Sequence, residues 1–257
     1  VTNAINLADG LDGLAGGISM LSFVIMAFLA HQCENTAVAI IAIAMVGAIA
    51  GFLRFNTHPA VLFMGDSGSQ LLGFLSVVFA LVLTQSNTPY SRILSLTLIG
   101  FPILDTLMVM VERMAKGNSP FKADKNHFHH RLLRLGFSHA EAVLIIYLIQ
   151  AMFLSFAFIY RYHSGWVHVV LFALFSITIL GLFYLASRTG WQFKRGEKAT
   201  SLKYRWTSIL KEHNILIRSS FGAARYGLPL VLIFQCLIPS QIPLSVSVFS
   251  FGLCLVL

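Results

Sequence analysis

Long apolar runs alternate with short polar breaks along this chain. The runs near 14–30, 36–53, 69–86, 92–111, 141–160 and 166–187 each approach the roughly 20 residues that a helix needs to cross a hydrocarbon core. None shows the strict alternation of a half-buried strand, and the polar groups gather in the breaks. A further run from about 227 carries Pro239 and Pro243, which mark a turn between two last segments. The pattern predicts an all-α fold, a polytopic transmembrane helix bundle of about six to eight spans. Residues 1–257 read as one membrane domain, with a core over 1–187, a basic segment over 188–226 and hydrophobic segments over 227–257.

Composition agrees. Hydrophobic residues make up 57% of the 257 and charged residues 11%, with a mean hydropathy of +0.78, a balance that leaves too little polar surface for a soluble domain. The net charge of +8 does not point to nucleic acid, because the basic residues sit between apolar runs as topology signals do. If every span reverses the side of the chain, Arg54, six basic residues between 112 and 139 and nine between Arg188 and Arg225 share one face, while only Arg92 and Arg161 fall on the other. Sixteen of the 18 basic residues on one side assigns that side to the cytoplasm. Over 201–221, Leu202, Trp206, Ile209, Leu210, Leu216 and Ile217 share a helical face, which suits an interfacial helix or equally a basic loop near anionic lipid. The three cysteines show no C-x-x-C spacing, so neither a disulfide framework nor a zinc site is expected.

Three polar runs fall on the basic face. In N-A-I-N-L-A-D-G-L-D-G-L-A, the residues Asn3, Asn6, Asp9 and Asp12 recur every third position, so neighbours would share a helix face. Carboxylate and amide oxygens are hard donors suited to Mg²⁺; a solvated helix start is the competing reading. In R-F-N-T-H-P-A-V-L-F-M-G-D-S-G-S, Asp66 lies between Gly65 and Gly68, which would let backbone approach a ligand. The run lacks the G-K-[ST] of a phosphate loop, and a helix cap explains its acid as well. In F-K-A-D-K-N-H-F-H-H-R-L-L-R-L-G-F-S-H, His127, His129 and His130 crowd with Lys122, Lys125, Arg131 and Arg134. Such density suits an anion such as a diphosphate rather than zinc, which nearby cations would repel. Asp105, inside the fourth run, is either a functional acid at membrane depth or a hydrogen-bonding partner for another helix.

Taken together, N-x-x-N-x-x-D-G-x-D-G-L-A, F-N-x-x-P-A-x-x-F-M-G-D-x-G-S and the histidine loop, in that order, resemble the polyprenyl-phosphate N-acetylhexosamine-1-phosphate transferases, glycosyltransferase family 4. The resemblance covers Asn3 to about His139. The H-F-H-H-R-L-L-x-x-G-F-S loop is similar to the branch that begins O-antigen lipopolysaccharide or teichoic-acid linkage synthesis. It implies transfer of N-acetylglucosamine 1-phosphate from a UDP-sugar to undecaprenyl phosphate with release of UMP, in a multi-pass protein of the bacterial inner membrane with its active face cytoplasmic. Mg²⁺, or Mn²⁺ in its place, would be required, and a homodimer is compatible with it.

Carried over by position, the resemblance implies Asp66 as the metal-binding aspartate, and Asp9, Asp12, His127, His129 and His130 as further catalytic residues. Asn3, Asn6, Asn56, Phe63, Lys125 and Arg131 would bind substrate, with Phe63 stacking on uracil. Direct attack and a route through an aspartyl phosphate both stay open at this level. The family has a further aspartate pair and several helices earlier in the chain, so the sequence is expected to be part of a longer protein, inactive as an isolated 257-residue piece. Two other readings compete: an ion-coupled transporter relaying through Asp105 and the other acids, and an inactive truncated relative.

Overall fold

A computed structural model describes residues 1–85, 88–115, 117–119 and 127–189. The expectations for Lys122 and Lys125, for the basic segment after 189 and for the hydrophobic run from 227 lie outside them. All described residues fall within a unit spanning Val1–Phe193. In chain order the helices are α1 Thr2–Ala8, α2 Leu14–Gln32, α3 Thr36–Asn56, α4 Gly65–Gln85, α5 Leu94–Leu98, α6 Gly100–Ala115, α7 Phe128–Arg134, α8 His139–Ile159 and α9 Gly165–Arg188. The described residues contain no strand.

Five helices, α2, α3, α4, α8 and α9, are long and apolar enough to cross a bilayer, as the apolar runs predict. Much of α3 and α9 is exposed, with Ile40, Ile43, Leu174 and Ile177 on the outside, as expected where lipid is the solvent. The inside is packed by Phe23, Phe101, Phe128 and Phe153, each at most 1% exposed.

The predicted span over 92–111 is not one helix. It breaks at Ile99 into α5 and α6. A break at membrane depth strands backbone polar groups unless protein satisfies them. Gln150 of α8, fully buried, does so from both ends. Its Oε1 accepts from the Phe101 N–H at 2.9 Å, and its Nε2 donates to the Leu98 carbonyl at 3.1 Å and to Ser22 Oγ at 2.9 Å. Gly100 lets α8 come close, since a Cβ there would lie 2.4 Å from Cγ of Phe153.

The ends of the helices sort as the alternation of sides requires. At one end Tyr90 donates to the Leu29 carbonyl at 2.8 Å, and the Ser91 N–H donates to the Arg161 carbonyl at 3.1 Å. These contacts gather the breaks that carry Arg92 and Arg161. At the other end meet the turn before α2, the segment between α3 and α4, and the start of α8. Tyr147 donates to the Gly13 carbonyl at 2.6 Å, and the Gly13 N–H donates to Asn56 Oδ1 at 2.9 Å. The described residues of all three polar runs lie at this second end.

Candidate active site

The repeat of three in the first run does not stay on one helix. α1 stops at Ala8 with Asp9 as its C-cap, and Asp12 sits in the turn to α2. Gly13 closes that turn at φ 80°, a left-handed conformation that glycine adopts without a Cβ penalty. Asp9 and Asp12 therefore project from a bend instead of a helix face. Across from them, Asp66 occupies the first turn of α4, exposed, and Ser69 one turn on donates to Asn6 Oδ1 at 2.8 Å. That bond ties α1 to the start of α4, and Gly73 lets the two helices touch, because a Cβ there would lie 2.6 Å from Cα of Thr2.

The acids feel one another. Burial pushes Asp9 up to about 6, and the charges of Asp66 and Asp12 add to the shift. Carboxylates that feel one another's charge are hard donors of the type Mg²⁺ takes, and a divalent cation would relieve their repulsion, although Asp9, Asp12 and Asp66 do not bring three donor atoms within 4.8 Å of one another. Asp12 differs in being held below its ordinary value, chiefly by its hydrogen bond with His58 Nδ1 at 2.8 Å, with the Ala60 N–H donating at 3.2 Å.

His58 in turn stacks on His139, centroids 4.3 Å apart and planes 19° from parallel. The donor atoms of Asp12, His58 and His139 lie within 4.8 Å of one another. An imidazole lone pair points along its ring plane, and two rings stacked 4.3 Å apart at 19° have planes that meet only far from the rings, beyond metal-ligand reach. The trio thus forms a latch between the turn before α2, the α3–α4 segment and the start of α8, rather than a ready metal cage. Nothing in the sequence reading singled out His58. Its one signal is an ionisable side chain within the variable part of F-N-x-x-P.

The remaining predicted residues divide. Asn56 is buried with both amide ends engaged, its Nδ2 donating to the Leu62 carbonyl at 2.8 Å, so it braces the loop that carries Phe63. Phe63 is 72% exposed, an aromatic face open for stacking. Asn3 is exposed on the first turn of α1. Arg131 pairs with Glu112, joining α7 to the end of α6.

On the histidine side, His127 and His129 are buried and their rings lie 4° from parallel with centroids 6.1 Å apart, while His130 flanks His129 at 4.2 Å. Burial drives His129 down to about 4, helped by the charge of His130. The Nε2 atoms of His127 and His129 are buried without a hydrogen-bond partner among the described residues. Buried polar atoms left so cost free energy, which a bound ligand or water would relieve. His129 also packs against the first run: a Cβ on Gly10, the residue after Asp9, would lie 2.7 Å from its Nε2. Beyond Arg131 a cavity of about 630 Å³ runs between α6 and α9, walled by Leu104, Met108, Phe172, Leu180 and Phe183, with Glu112 and Arg131 at its polar edge.

Residues 1–84, which hold the first two runs, match the family model of glycosyl transferase family 4. That stretch of the chain is glycosyl transferase family 4 sequence. It is 38% identical over 184 residues to a Bacillus subtilis protein named a probable undecaprenyl-phosphate N-acetylglucosaminyl 1-phosphate transferase, an alignment covering 71% of this chain and 50% of that one. It is 37% identical over 180 residues to the undecaprenyl-phosphate alpha-N-acetylglucosaminyl 1-phosphate transferase of Escherichia coli K12, covering 67% and 49%. A third family relative, the decaprenyl-phosphate N-acetylglucosaminephosphotransferase of Mycolicibacterium smegmatis, is 38% identical over 170 residues, covering 58% and 41%. The chain spans about half the length of the curated relatives it matches.

Proposed function

We propose that the complete protein transfers N-acetylglucosamine 1-phosphate from UDP-N-acetylglucosamine to undecaprenyl phosphate, releasing UMP, at the cytoplasmic face of a bacterial inner membrane. The observation that carries this reading is the meeting, at one end of the bundle, of an open cluster of carboxylates, two buried histidine nitrogens awaiting a ligand, and an apolar cavity with a charged edge. A transferase with one soluble and one lipid substrate needs its chemistry where water and bilayer meet. The names of the relatives supply the transferred group and the lipid acceptor, the UDP-linked donor follows from the family resemblance of the motifs, and the distribution of basic residues supports the cytoplasmic side.

In this reading an oxygen of the lipid phosphate attacks the sugar-linked phosphorus, and the bridge between the two phosphorus atoms breaks, its electron pair leaving with UMP. Asp66, with Asp9 and Asn6 beside it, would hold Mg²⁺, which offsets the growing charge on the diphosphate. Phe63 offers its exposed ring to the uracil, and the histidine loop addresses the phosphates opposite the acids. Asp12, clamped by His58 and the Ala60 N–H, keeps the nucleotide side in shape.

The test is UMP release by the full-length protein in lipid nanodiscs, with both substrates and Mg²⁺ supplied. Release that needs undecaprenyl phosphate and falls at least 100-fold in Asp66→Asn is the expected result; this is about 2.7 kcal/mol of transition-state stabilisation. Near-normal turnover by that variant at ordinary Mg²⁺ would sink the assignment of Asp66. Substrate uptake into proteoliposomes without lipid-linked product would favour the transporter reading instead.

A further inference from the structure

Asp105 is 3% exposed and lies on α6 inside the bundle, where an acid is costly unless its oxygens are used. Both are. Oδ1 accepts the Phe128 N–H at 2.7 Å, and Oδ2 meets His127 Nδ1 at 2.9 Å. The first bond anchors the start of α7. The second acts on a side chain. A carboxylate can only accept from a ring nitrogen that carries hydrogen, so it places the proton of a neutral His127 on Nδ1 and leaves the lone pair on Nε2. That Nε2 is buried and without a partner among the described residues, on a residue 5% exposed.

We propose that Asp105 is the positioning residue of this site, holding His127 in the one tautomer whose Nε2 can take a proton from the attacking phosphate. The proposal rests on the transferase reading above. In its singly ionised form the lipid phosphate carries one P–O–H. Its proton passes to His127 Nε2 as a phosphate oxygen forms its bond to the sugar-linked phosphorus, and UMP leaves with the electrons of the broken bridge. Asp105 itself exchanges no proton; it neutralises the imidazolium and fixes the ring.

Asp105→Asn separates the anchoring role from the tautomer role. The amide oxygen can still accept from the Phe128 N–H, so α7 keeps its anchor. The amide nitrogen now faces His127 Nδ1 and can only donate, which moves the ring proton to Nε2. In a hydrolase triad the same acid-to-amide change costs about 10⁴-fold through the wrong tautomer. The full-length variant in nanodiscs is expected to lose about 100-fold or more in kcat, within the range of general acid–base catalysis, while KM for UDP-N-acetylglucosamine moves less than about threefold. Asp105→Glu, which keeps two accepting oxygens, recovers at least tenfold over the amide.

The decisive comparison is the cycle with His127→Ala. If Asp105 acts through His127, adding Asp105→Asn to His127→Ala lowers kcat by less than about threefold. Losses that multiply would overturn the proposal and leave Asp105 a mere anchor. Should the amide variant fail to fold, nitrogen NMR of the wild-type protein decides the question, His127 protonated at Nδ1 being expected and protonation at Nε2 overturning the proposal. If the wild-type protein releases no UMP, the transferase reading fails on its own. Nitrogen NMR of histidine-labelled protein still tests Asp105, with His127 protonated at Nδ1 in wild type and at Nε2 in Asp105→Asn expected, and one tautomer in both overturning the proposal.

Discussion

The two halves of the site use the same residue types in opposite ways. On the acid half, Asp9 and Asp66 stand in a bend and at a helix start, and partial burial, with charge repulsion added, holds Asp9 near 6. On the histidine half, Asp105 is buried with both oxygens engaged, and His127 and His129 are buried with one nitrogen each left over. Unneutralised charge on the first half invites a cation. Saturated oxygens on the second can only orient a neighbour. A carboxylate's role here follows from how many of its lone pairs the fold has already used.

The largest test of that contrast falls on the acid half. Asp66→Asn should cut UMP release at least 100-fold while leaving thermal stability within about 1 °C, since an exposed side chain away from packing changes stability little. A drop in stability as large as the drop in rate would erase the distinction between an open half and a structural one.

Next comes the seam between the halves. Gly10→Val places a side chain against the buried ring of His129, and overpacking of this kind costs about 1–3 kcal/mol. A fall in melting temperature is expected together with a loss of about tenfold or more in turnover. A variant with wild-type values for both would show that the halves do not touch.

Phe63→Ala tests whether exposure on the acid half means availability. Stacking of a base on an aromatic is worth about 1–3 kcal/mol, so KM for the nucleotide sugar should rise about tenfold with unchanged stability, and Phe63→Trp should restore it. An unchanged KM would remove Phe63 from the nucleotide side.

The smallest effect is in pH, and it has opposite signs on the two halves. Asp9 is raised from 3.8 to about 6, so the folded state holds more protons between those values and its contribution to stability falls as pH rises through that window. His129 is lowered from 6.5 to about 4, so the unfolded state holds more protons there and stability rises with pH over about 4 to 6.5. Thermal unfolding of the metal-free protein should show the two terms opposing. Asp66→Asn weakens the first and His129→Gln removes the second, so the variants should tilt the profile in opposite directions. A parallel tilt would mean that one of the two environments is wrongly described.

Most of the span pattern was legible before any coordinates, because a run of about 20 apolar residues has few places to go besides a bilayer. The sharing of one face by three motifs was legible too, through a count of reversals and of basic residues. The break at Ile99 was not. Gly100 and Pro102 are local breakers that the apolar run outweighed, Pro102 having no N–H to offer the Leu98 carbonyl, whereas Gln150, about 50 residues away, which satisfies that carbonyl and the Phe101 N–H, has no local signal. Asp105 was visible as an acid at membrane depth, but its choice between roles waited on His127. His58 and its stack on His139 were invisible, since nothing in H-P marks a ring that another helix will cover. Asn56 was legible as a motif residue, yet its task as a brace only shows once Gly13 and Leu62 are beside it.

The sequence by itself determined what repeats or accumulates along the chain: helices, spans, the charged side and the order of the motifs, all of which depend on neighbours in sequence or on sums over segments. The tertiary structure decided what depends on pairs far apart in the chain: which acid is saturated and which is open, which histidine nitrogen is left without a partner, and where one helix must break. Such pairings are set by packing three dimensions of side chains into one interior, and the cost of a buried, unmatched polar atom is what makes them specific.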